Sequence, residues 1–437
     1  MRTHSRAVVA AVAALLPLLT VITACSSGSS SGTQSSSSAT QSSSGAAQPP
    51  SAAAAAAPGG APIVLGTIGG YTGAQASSLA MTQEVGQAWA KSVNGSGGIN
   101  GHPVKLISMD DGSDPATSLQ DAQQLITQDH VLAIVGQTSL VDAVWASYAE
   151  SKGIPVIGGT PFDTPSTSNP DYFPTGTSSP GMFLGQITEV KKAGLKNFQI
   201  LYCAESPVCK QSVSYVAAAA KIVGGVSVSS TQISSSAPSY TAQCLAAKSA
   251  NVDAFMPAVG ADVALRVIDS CAQLGYTPHQ VNQTEDSGTA WLKDPNTNNT
   301  LLISPNANYV DGSLPATKQF LDALASYAPG LTTGNQFSSN VIYPWIAGEL
   351  FEAAAKEANI GPTSTPADLK RGLYALKDET LGGLTQPLTY TFGKPTVLTC
   401  YFVDEVQNGQ FVSLDGNKPV CPSASEAAQL KSDLQLG

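Results

Sequence analysis

From residue 62 onward the chain alternates short apolar runs with longer amphipathic stretches. Four such runs predict strands, at 62–68, 103–109, 131–136 and 154–159. The stretches between them carry apolar residues at helical spacing, and Asp114-Pro115 gives one of these helices an N-cap followed by proline at its first position. Strand-helix-strand repetition with short links predicts parallel sheets with helices on both faces.

The same alternation resumes beyond a break near Thr175–Pro180, which predicts two similarly wound lobes. The length of chain after residue 61 also favours two domains over one. From Leu301 the order of apolar and polar residues becomes less regular. It ends in LTYTFGKPTVLTCYFVDEV at 388–406, a pattern typical of antiparallel strands.

The N-terminus has a different pattern, which predicts a secretory signal over residues 1–24. Arg2 and Arg6 precede an almost wholly apolar run from Ala7 to Ile22, which is short for a membrane-spanning helix. Small residues then lead into Cys25, in the sequence Ile-Thr-Ala-Cys. This resembles the bacterial lipobox, which implies that Cys25 becomes the lipid-modified first residue of the mature chain. An ordinary signal that happens to contain a cysteine is the alternative.

Residues 25–61 predict a flexible tether. After Cys25 they consist of Ser, Ala, Gly, Gln, Thr and Pro, with no charge and no large apolar side chain. Such a segment cannot bury enough surface to offset the entropy lost on ordering it. A mucin-like stalk with its own recognition role is the alternative.

The charge balance argues against nucleic acid as a partner. Without residues 1–24 the chain loses two of its 21 basic residues and none of its 31 acidic ones, so the formal charge is −12. Nucleic acids and anionic lipid surfaces both attract a surplus of Lys and Arg instead. No apolar stretch beyond the signal is long enough to span a bilayer, so the lipid would be the only anchor.

Six of the seven cysteines remain once Cys25 is assigned to lipid, and an even number in an exported protein predicts disulfides. Six cysteines allow fifteen pairings. Local geometry favours Cys203–Cys209, Cys244–Cys271 and Cys400–Cys421. A zinc site is not expected, because there is no CxxC and the histidines are far apart; no metal or other cofactor is predicted.

One long stretch, 93–139, carries a family resemblance. Its motifs are Asn94, Gly97-Gly98-Ile99 with Gly101, Asp110-Asp111 with Asp114-Pro115, and a strand ending in Gly136 with Ser139. In this order they resemble the type I periplasmic binding proteins of the leucine/isoleucine/valine-binding family. The resemblance extends from Pro62 to about Pro422.

This resemblance implies a two-lobed clamp of α/β architecture, with the ligand between lobes joined by three crossing strands. The first lobe would hold 62–181 and 306–382. The second would hold 182–305 and 383–422, and residues 423–437 would form a C-terminal tail.

The ends of the predicted strands supply candidate ligand-binding residues, because open parallel sheets bind ligands there. Thr138 and Ser139 could hold a carboxylate through hydroxyl and backbone N–H groups, although Ser139 could equally be a helix N-cap. Gly159 would let the backbone approach a ligand, or would simply form a turn. In the family, the residues matching Ser139, Gly159 and Thr160 bind the carboxylate and ammonium of an amino acid.

On the second lobe, Glu285 lies near the position of the acidic residue that pairs with the ligand ammonium in the family. Its neighbour Asp286 is an alternative, and either acid could be merely a solvated surface group. Two departures from the family pattern concern the cleft: the loop CAESPVC at 203–209 and Gly260 stand where aromatic residues often line it. They predict a roomier or differently shaped pocket.

The resulting functional hypothesis is an extracytoplasmic solute-binding lipoprotein of an ABC importer. It would act as a monomer on the outer face of the bacterial cell membrane and deliver a small polar ligand to a permease. The expected ligand is an amino acid, with a branched-chain amino acid as one candidate. A sensor presenting the same clamp to a receptor, an amide or urea-like ligand, and a structural surface protein are the alternatives. An enzyme is not expected, because the dinucleotide, P-loop, G-x-S-x-G and H-E-x-x-H motifs are absent.

Overall fold

A computed structural model describes residues 58–73, 76–205, 207–334 and 337–437. The predicted signal at 1–24, the lipidation site Cys25 and residues 25–57 of the predicted tether lie outside the described residues. No helix in the described ranges combines the length and apolar character that crossing a membrane requires.

The first sheet has five parallel strands in the order β2-β1-β3-β4-β5. Its strands are β1 (Ile63–Gly69), β2 (Val104–Asp110), β3 (Ile134–Val135), β4 (Val156–Ile157) and β5 (Tyr172–Phe173). The connecting helices are α1 (Ala76–Gly95), α2 (Pro115–Thr127), α3 (Ala143–Ser151) and α4 (Pro165–Ser168). The predicted start of α2 is confirmed, since the Asp114 side chain accepts a hydrogen bond of 2.8 Å from the Thr117 N–H.

The second sheet has seven strands in the order β12-β11-β10-β9-β8-β6-β7. Its strands are β6 (Asn197–Cys203), β7 (Ser227–Ile233), β8 (Ala254–Ala258), β9 (His279–Gln283), β10 (Leu301–Ser304), β11 (Phe402–Gln407) and β12 (Gln410–Ser413). Helices α5 (Ser179–Lys192), α6 (Pro207–Val223), α7 (Thr241–Ser249) and α8 (Ala261–Ala272) accompany it. Two mostly parallel sheets flanked by helices confirm the predicted α/β fold with two lobes.

Helices from the later part of the chain complete the first lobe. They are α9 (Pro315–Tyr327), α10 (Ile342–Glu357) and α11 (Pro366–Ala375). α10 packs on β3, β4 and α1, and the ring of Trp89 on α1 meets Phe351 edge to face at 6.3 Å. A Cβ at Gly348 would lie 2.2 Å from the Trp89 ring, so only glycine permits this close approach of the two helices.

Three segments cross between the lobes side by side. The Thr177 N–H donates to the Pro305 carbonyl at 3.2 Å, and the Ala307 N–H donates to the Leu384 carbonyl at 3.0 Å. The Gln386 side chain donates to the Cys400 carbonyl at 2.8 Å. The first two bonds join the three crossings to one another, and the third holds the last crossing to the segment before β11.

Two stretches near the C-terminus have more specific structure than the sequence pattern indicated. Within 388–406 only β11 is a strand, because Pro395 and the turn closed by the Lys394 N–H and the Thr391 carbonyl interrupt the run; β11 pairs antiparallel with β10 and β12. The predicted tail 423–437 contains helix α12 (Ala424–Leu434), which begins with a Ser423–Glu426 capping box and buries Leu430 completely.

All three predicted disulfides are present: Cys203–Cys209, Cys244–Cys271 and Cys400–Cys421. The first joins the end of β6 to α6, and the second joins α7 to α8. The third fixes the segment before β11 to the segment after β12. The first two bridges therefore link consecutive elements of the second lobe. The third links the two segments that flank the β11–β12 hairpin.

Candidate functional site

Thr138 stands where β1 and β3 end side by side. Its N–H donates to the Ile68 carbonyl at 2.8 Å, and its hydroxyl lies 2.9 Å from the hydroxyl of Thr82 on α1. The residue is completely buried. The N–H and the hydroxyl of Thr138 therefore both have partners within the first lobe.

Ser139 is likewise completely buried, and its hydroxyl is already engaged. The hydroxyl donates to the Asp111 carboxylate at 2.5 Å and lies 3.2 Å from the Ser118 hydroxyl. The Ser139 N–H donates to the side-chain oxygen of Gln137 at 2.9 Å. Because a serine hydroxyl has one proton, its donor is used for Asp111 and not for a ligand carboxylate in this conformation.

Gly159 and Thr160 follow β4 and differ in what they offer. Gly159 has φ +96°, and a Cβ there would lie 2.2 Å from the Gln137 carbonyl oxygen, so glycine is needed for the contact between the two strand-end loops. The Thr160 N–H donates to that same carbonyl at 3.0 Å. Thr160 is 2% exposed, and its hydroxyl has no hydrogen-bond partner within the described ranges. Thr160 is therefore the predicted first-lobe residue with an unused hydroxyl.

Glu285 lies on the second lobe, in the turn Thr284–Asp286 that follows β9. Its Oε1 accepts a hydrogen bond from the Tyr343 hydroxyl, and Thr284 Oγ1 lies 3.3 Å from the same oxygen. Its Oε2 is shielded from solvent and has no partner among the residues that the structure describes. Burial raises the pKa of Glu285 to about 7, so that near neutral pH the carboxyl is about half protonated.

Tyr343 is a site residue that sequence reasoning missed. It lies in the first turn of α10, which packs on the first sheet, so its bond to Glu285 crosses from one lobe to the other. The half-buried Phe162 ring packs edge-on against the Tyr343 ring, with an interplanar angle of 70° and 6.0 Å between centroids. The run NVIYPWIAGEL reads simply as a buried helix, and no signal in it singles out this hydroxyl.

Asp142 and Asp163 form a second acidic group, at the ends of β3 and β4, which sequence reasoning also missed. Asp142 is completely buried and accepts hydrogen bonds from Tyr172 at 3.1 Å and Gln137 at 3.4 Å. Burial raises the pKa of Asp163 to about 6, while burial and the neighbouring Asp163 charge hold the pKa of Asp142 well above its usual range. Two buried carboxyls in contact share one proton more readily than they both ionise.

The two departures from the family pattern occupy the second-lobe strand ends. The Cys203–Cys209 bridge closes the loop after β6. Gly260 precedes α8, and no heavy atom lies within 4 Å of the position that its Cβ would take. The space beside Gly260 is therefore open. Among the described residues no group of three or more His, Cys, Asp or Glu is arranged to hold a metal ion.

Comparison with known proteins places this arrangement in a family. The sequence model of the periplasmic binding protein family matches residues 62–410. An amino acid binding protein of Pseudomonas aeruginosa is 34% identical over 124 residues, which are 28% of this chain and 31% of that relative. The chain thus matches less than a third of the length of the curated relative.

Solved structures share the fold at low identity. A fatty acid ABC transporter substrate-binding protein of Thermomonospora curvata has a TM-score of 0.70 at 18% identity, over 85% of this chain and 95% of that one. A leucine-binding protein of Thermotoga maritima scores 0.66 at 16% identity, over 82% and 99% of the two chains. A solute-binding protein of Rhodopseudomonas palustris in complex with benzoate scores 0.66 at 16%, over 83% and 98%. With the family match covering most of the folded residues, the chain belongs to the type I periplasmic binding proteins, a family of solute-binding proteins.

Proposed function

We infer that this protein captures a small ammonium-bearing solute, an amino acid, between its two lobes and delivers it to an ABC permease. The observation that carries this proposal is Glu285. Its Oε2 is desolvated and has no partner among the described residues, while its Oε1 is held by Tyr343 of the opposite lobe. A ligand ammonium could donate a hydrogen bond to this free carboxylate oxygen and balance its charge. Such a charge-assisted hydrogen bond is worth roughly 1.5–3 kcal/mol.

The first lobe supplies the other half of the proposed site. Thr160 has the unused hydroxyl there. Thr138, Ser139 and Gly159 are the other predicted ligand-binding residues of this lobe. Because the hydroxyl and N–H groups of Thr138 and Ser139 all have internal partners, the proposed contribution of these two residues is to fix the strand-end loops. Asp286 remains the alternative to Glu285 as the ammonium partner.

Contacts from both lobes would link binding to closure. Only a closed clamp brings the first-lobe donors and Glu285 to the same ligand, so ligand shifts the population toward the closed state. The Pseudomonas relative named for amino acid binding supports this ligand class. The fold neighbours named for a fatty acid, leucine and benzoate show that the ligand class must be argued from the residues of each site.

Calorimetry with a panel of amino acids, combined with small-angle scattering, tests the proposal. We expect one class of amino acid to bind and to reduce the radius of gyration of the mature protein. If no amino acid binds, an amide, a urea-like compound or another small solute takes its place. Purified protein that binds a solute but never associates with the permease would favour the sensor alternative.

Membrane anchoring through Cys25 is the remaining part of the proposal, and it rests on the sequence alone. Cys25→Ala should release the protein from the outer face of the cell membrane into the soluble fraction. A variant that stays membrane-bound to the same degree contradicts the lipoprotein assignment. We propose a monomer as the active form, which scattering at several concentrations would check.

A further inference from the structure

The two lobes are hydrogen-bonded to each other outside the three crossings as well. The Tyr343 hydroxyl, in the first turn of α10, donates to Glu285 Oε1 in the turn that follows β9. Four residues beyond Glu285, the Thr289 hydroxyl donates to the Gly334 carbonyl at 3.0 Å. Gly334 lies between α9 and α10, which belong to the first lobe. Two hydrogen bonds therefore join the segment after β9 to first-lobe residues that are not part of the hinge.

Each side of this contact is fixed to its own lobe. The turn Ser339–Val341 packs on α1 and α10 and lies against the turn Thr284–Asp286 of the second lobe. Tyr343 is 1% exposed, so its ring has little freedom to follow a departing partner. On the second lobe, the Thr284 hydroxyl lies 3.3 Å from the Ser304 hydroxyl at the end of β10. Rotation of the lobes away from each other would therefore break both hydrogen bonds.

We propose that Tyr343 and Thr289 form a latch, with Glu285 and the Gly334 carbonyl as acceptors, that keeps a fraction of the protein closed without any solute. All four groups belong to the protein, so the latch forms whether or not the cleft is occupied. One net hydrogen bond of this kind changes the ratio of closed to open molecules by roughly three- to tenfold. The inference holds for any solute and does not depend on the amino acid assignment.

The latch gives Tyr343 an effect on affinity that requires no contact with the solute. A solute held between closed lobes binds with an apparent affinity proportional to the fraction of free protein that is already closed. Removing a latch bond lowers that fraction and so weakens binding of every solute by the same factor. Tyr343 is in this sense a positioning residue, because it acts by bringing the second lobe and Glu285 toward the first lobe.

Small-angle scattering of the solute-free mature protein tests the latch. Bound solute is first removed by unfolding in urea without reductant and refolding. At pH 6 the Glu285 carboxyl, whose pKa burial raises to about 7, is mostly protonated, so closure buries little charge. In Tyr343→Phe and Thr289→Val the ratio of closed to open molecules should fall roughly three- to tenfold, and the radius of gyration should rise. The double variant should be the most open.

Tyr276→Phe is the matched control. It removes a hydroxyl that donates to the Val252 carbonyl at 2.9 Å inside the second lobe, so it should keep the wild-type radius of gyration. Circular dichroism shows whether each variant is folded. Equal radii for the wild type and the double variant overturn the latch, whether both are open or both are closed. Expansion of Tyr276→Phe to the same degree as Tyr343→Phe also overturns it.

Glu285→Gln separates the latch from the proposed function. Its amide oxygen can still accept from Tyr343, so the solute-free variant should stay as compact as the wild type while its amino acid affinity falls. A protein that needs the Tyr343 hydroxyl for compaction but binds no amino acid supports the latch and contradicts the proposed ligand. A protein that binds an amino acid but is equally open with and without this hydroxyl overturns the latch alone.

Discussion

The strand ends of the two lobes differ in how far their polar groups are already satisfied. In the first lobe Thr138 and Ser139 are completely buried and bonded to Thr82 and Asp111. In the second lobe Glu285 keeps one oxygen without a partner among the described residues, and its other oxygen is bonded to the opposite lobe. The first lobe is thus a preformed platform, whereas the acids of the second lobe depend on a group from outside their own lobe. Substitutions on the first should change stability, and substitutions on the second should change binding.

Glu285→Gln should give the largest effect on binding. The amide can still accept from Tyr343 but cannot balance a ligand ammonium, so affinity should fall roughly 30- to 100-fold, or about 2–3 kcal/mol. The free energy of unfolding should stay the same or rise, because a desolvated acid has been removed. Calorimetry and urea denaturation measure the two quantities. Glu352→Gln, whose carboxylate pairs with Lys356 on the surface of α10, is the matched control, and an equal loss of affinity in it would contradict the assignment.

Ser139→Ala should act mainly on stability. It removes the hydroxyl that donates to Asp111, a carboxylate that is 1% exposed, and should lower the free energy of unfolding by about 1–3 kcal/mol. The loss in ligand affinity should be tenfold or less. Urea denaturation measures the free energy of unfolding of Ser139→Ala. Ser326→Ala, which changes an exposed serine on a helix, is the control. Unchanged stability with a large loss of affinity would mean that Ser139 binds the ligand directly.

Asp163→Asn should change how first-lobe stability depends on pH. The folded pKa of Asp163, about 6, lies above the usual unfolded value of about 3.9, so this group stabilises the fold fully only below pH 4 and loses that contribution as pH rises toward and past 6. The difference in unfolding free energy, wild type minus Asp163→Asn, should therefore fall by about 2 kcal/mol between pH 4 and pH 7. Denaturation at a series of pH values measures it. A difference that stays constant with pH would exclude a shared proton between Asp163 and Asp142.

Thr160→Ala should give the smallest effect. Its hydroxyl has no protein partner in the described ranges, so removing it should leave the unfolding free energy within about 0.5 kcal/mol of wild type. Affinity should fall roughly three- to tenfold if that hydroxyl donates to the ligand. Thr317→Ala, a buried helix threonine whose hydroxyl lies 3.5 Å from the Asn308 carbonyl, offers a comparison away from the cleft. Unchanged affinity in Thr160→Ala would remove this residue from the site.

The features that could be predicted from the sequence were those determined by residues close together along the chain. The alternation of apolar runs and amphipathic stretches predicted both sheets, and Asp114-Pro115 predicted the start of α2. The three disulfides were predictable because each joins elements that follow one another closely along the chain. Glu285 was chosen as a candidate through its place after a strand end and through the family resemblance, and its role in binding stays a prediction.

The features that escaped prediction depend on residues far apart in sequence. Tyr343 meets Glu285 across 58 positions, and only the packing of α10 on the first sheet brings them together. Asp142 and Asp163 each follow a different strand, and their contact depends on β3 lying beside β4. The spacing of residues along the chain does not predict which residues distant in sequence come into contact. The same limit applies to Ser139, whose partner Asp111 comes from the end of β2.

The three crossings also determine when during synthesis the protein can fold. The first sheet is complete in sequence at Phe173, yet α10, which covers it, begins only at Ile342, after most of the second lobe. A nascent chain ending between these points would expose the apolar face that Trp89 and Phe351 bury together. Any contiguous fragment that contains the whole first lobe also contains strands β6 to β10 of the second lobe, so the first-lobe core can close only late in synthesis. Folding of this lobe is therefore governed by contacts distant in sequence, which makes it intrinsically slow.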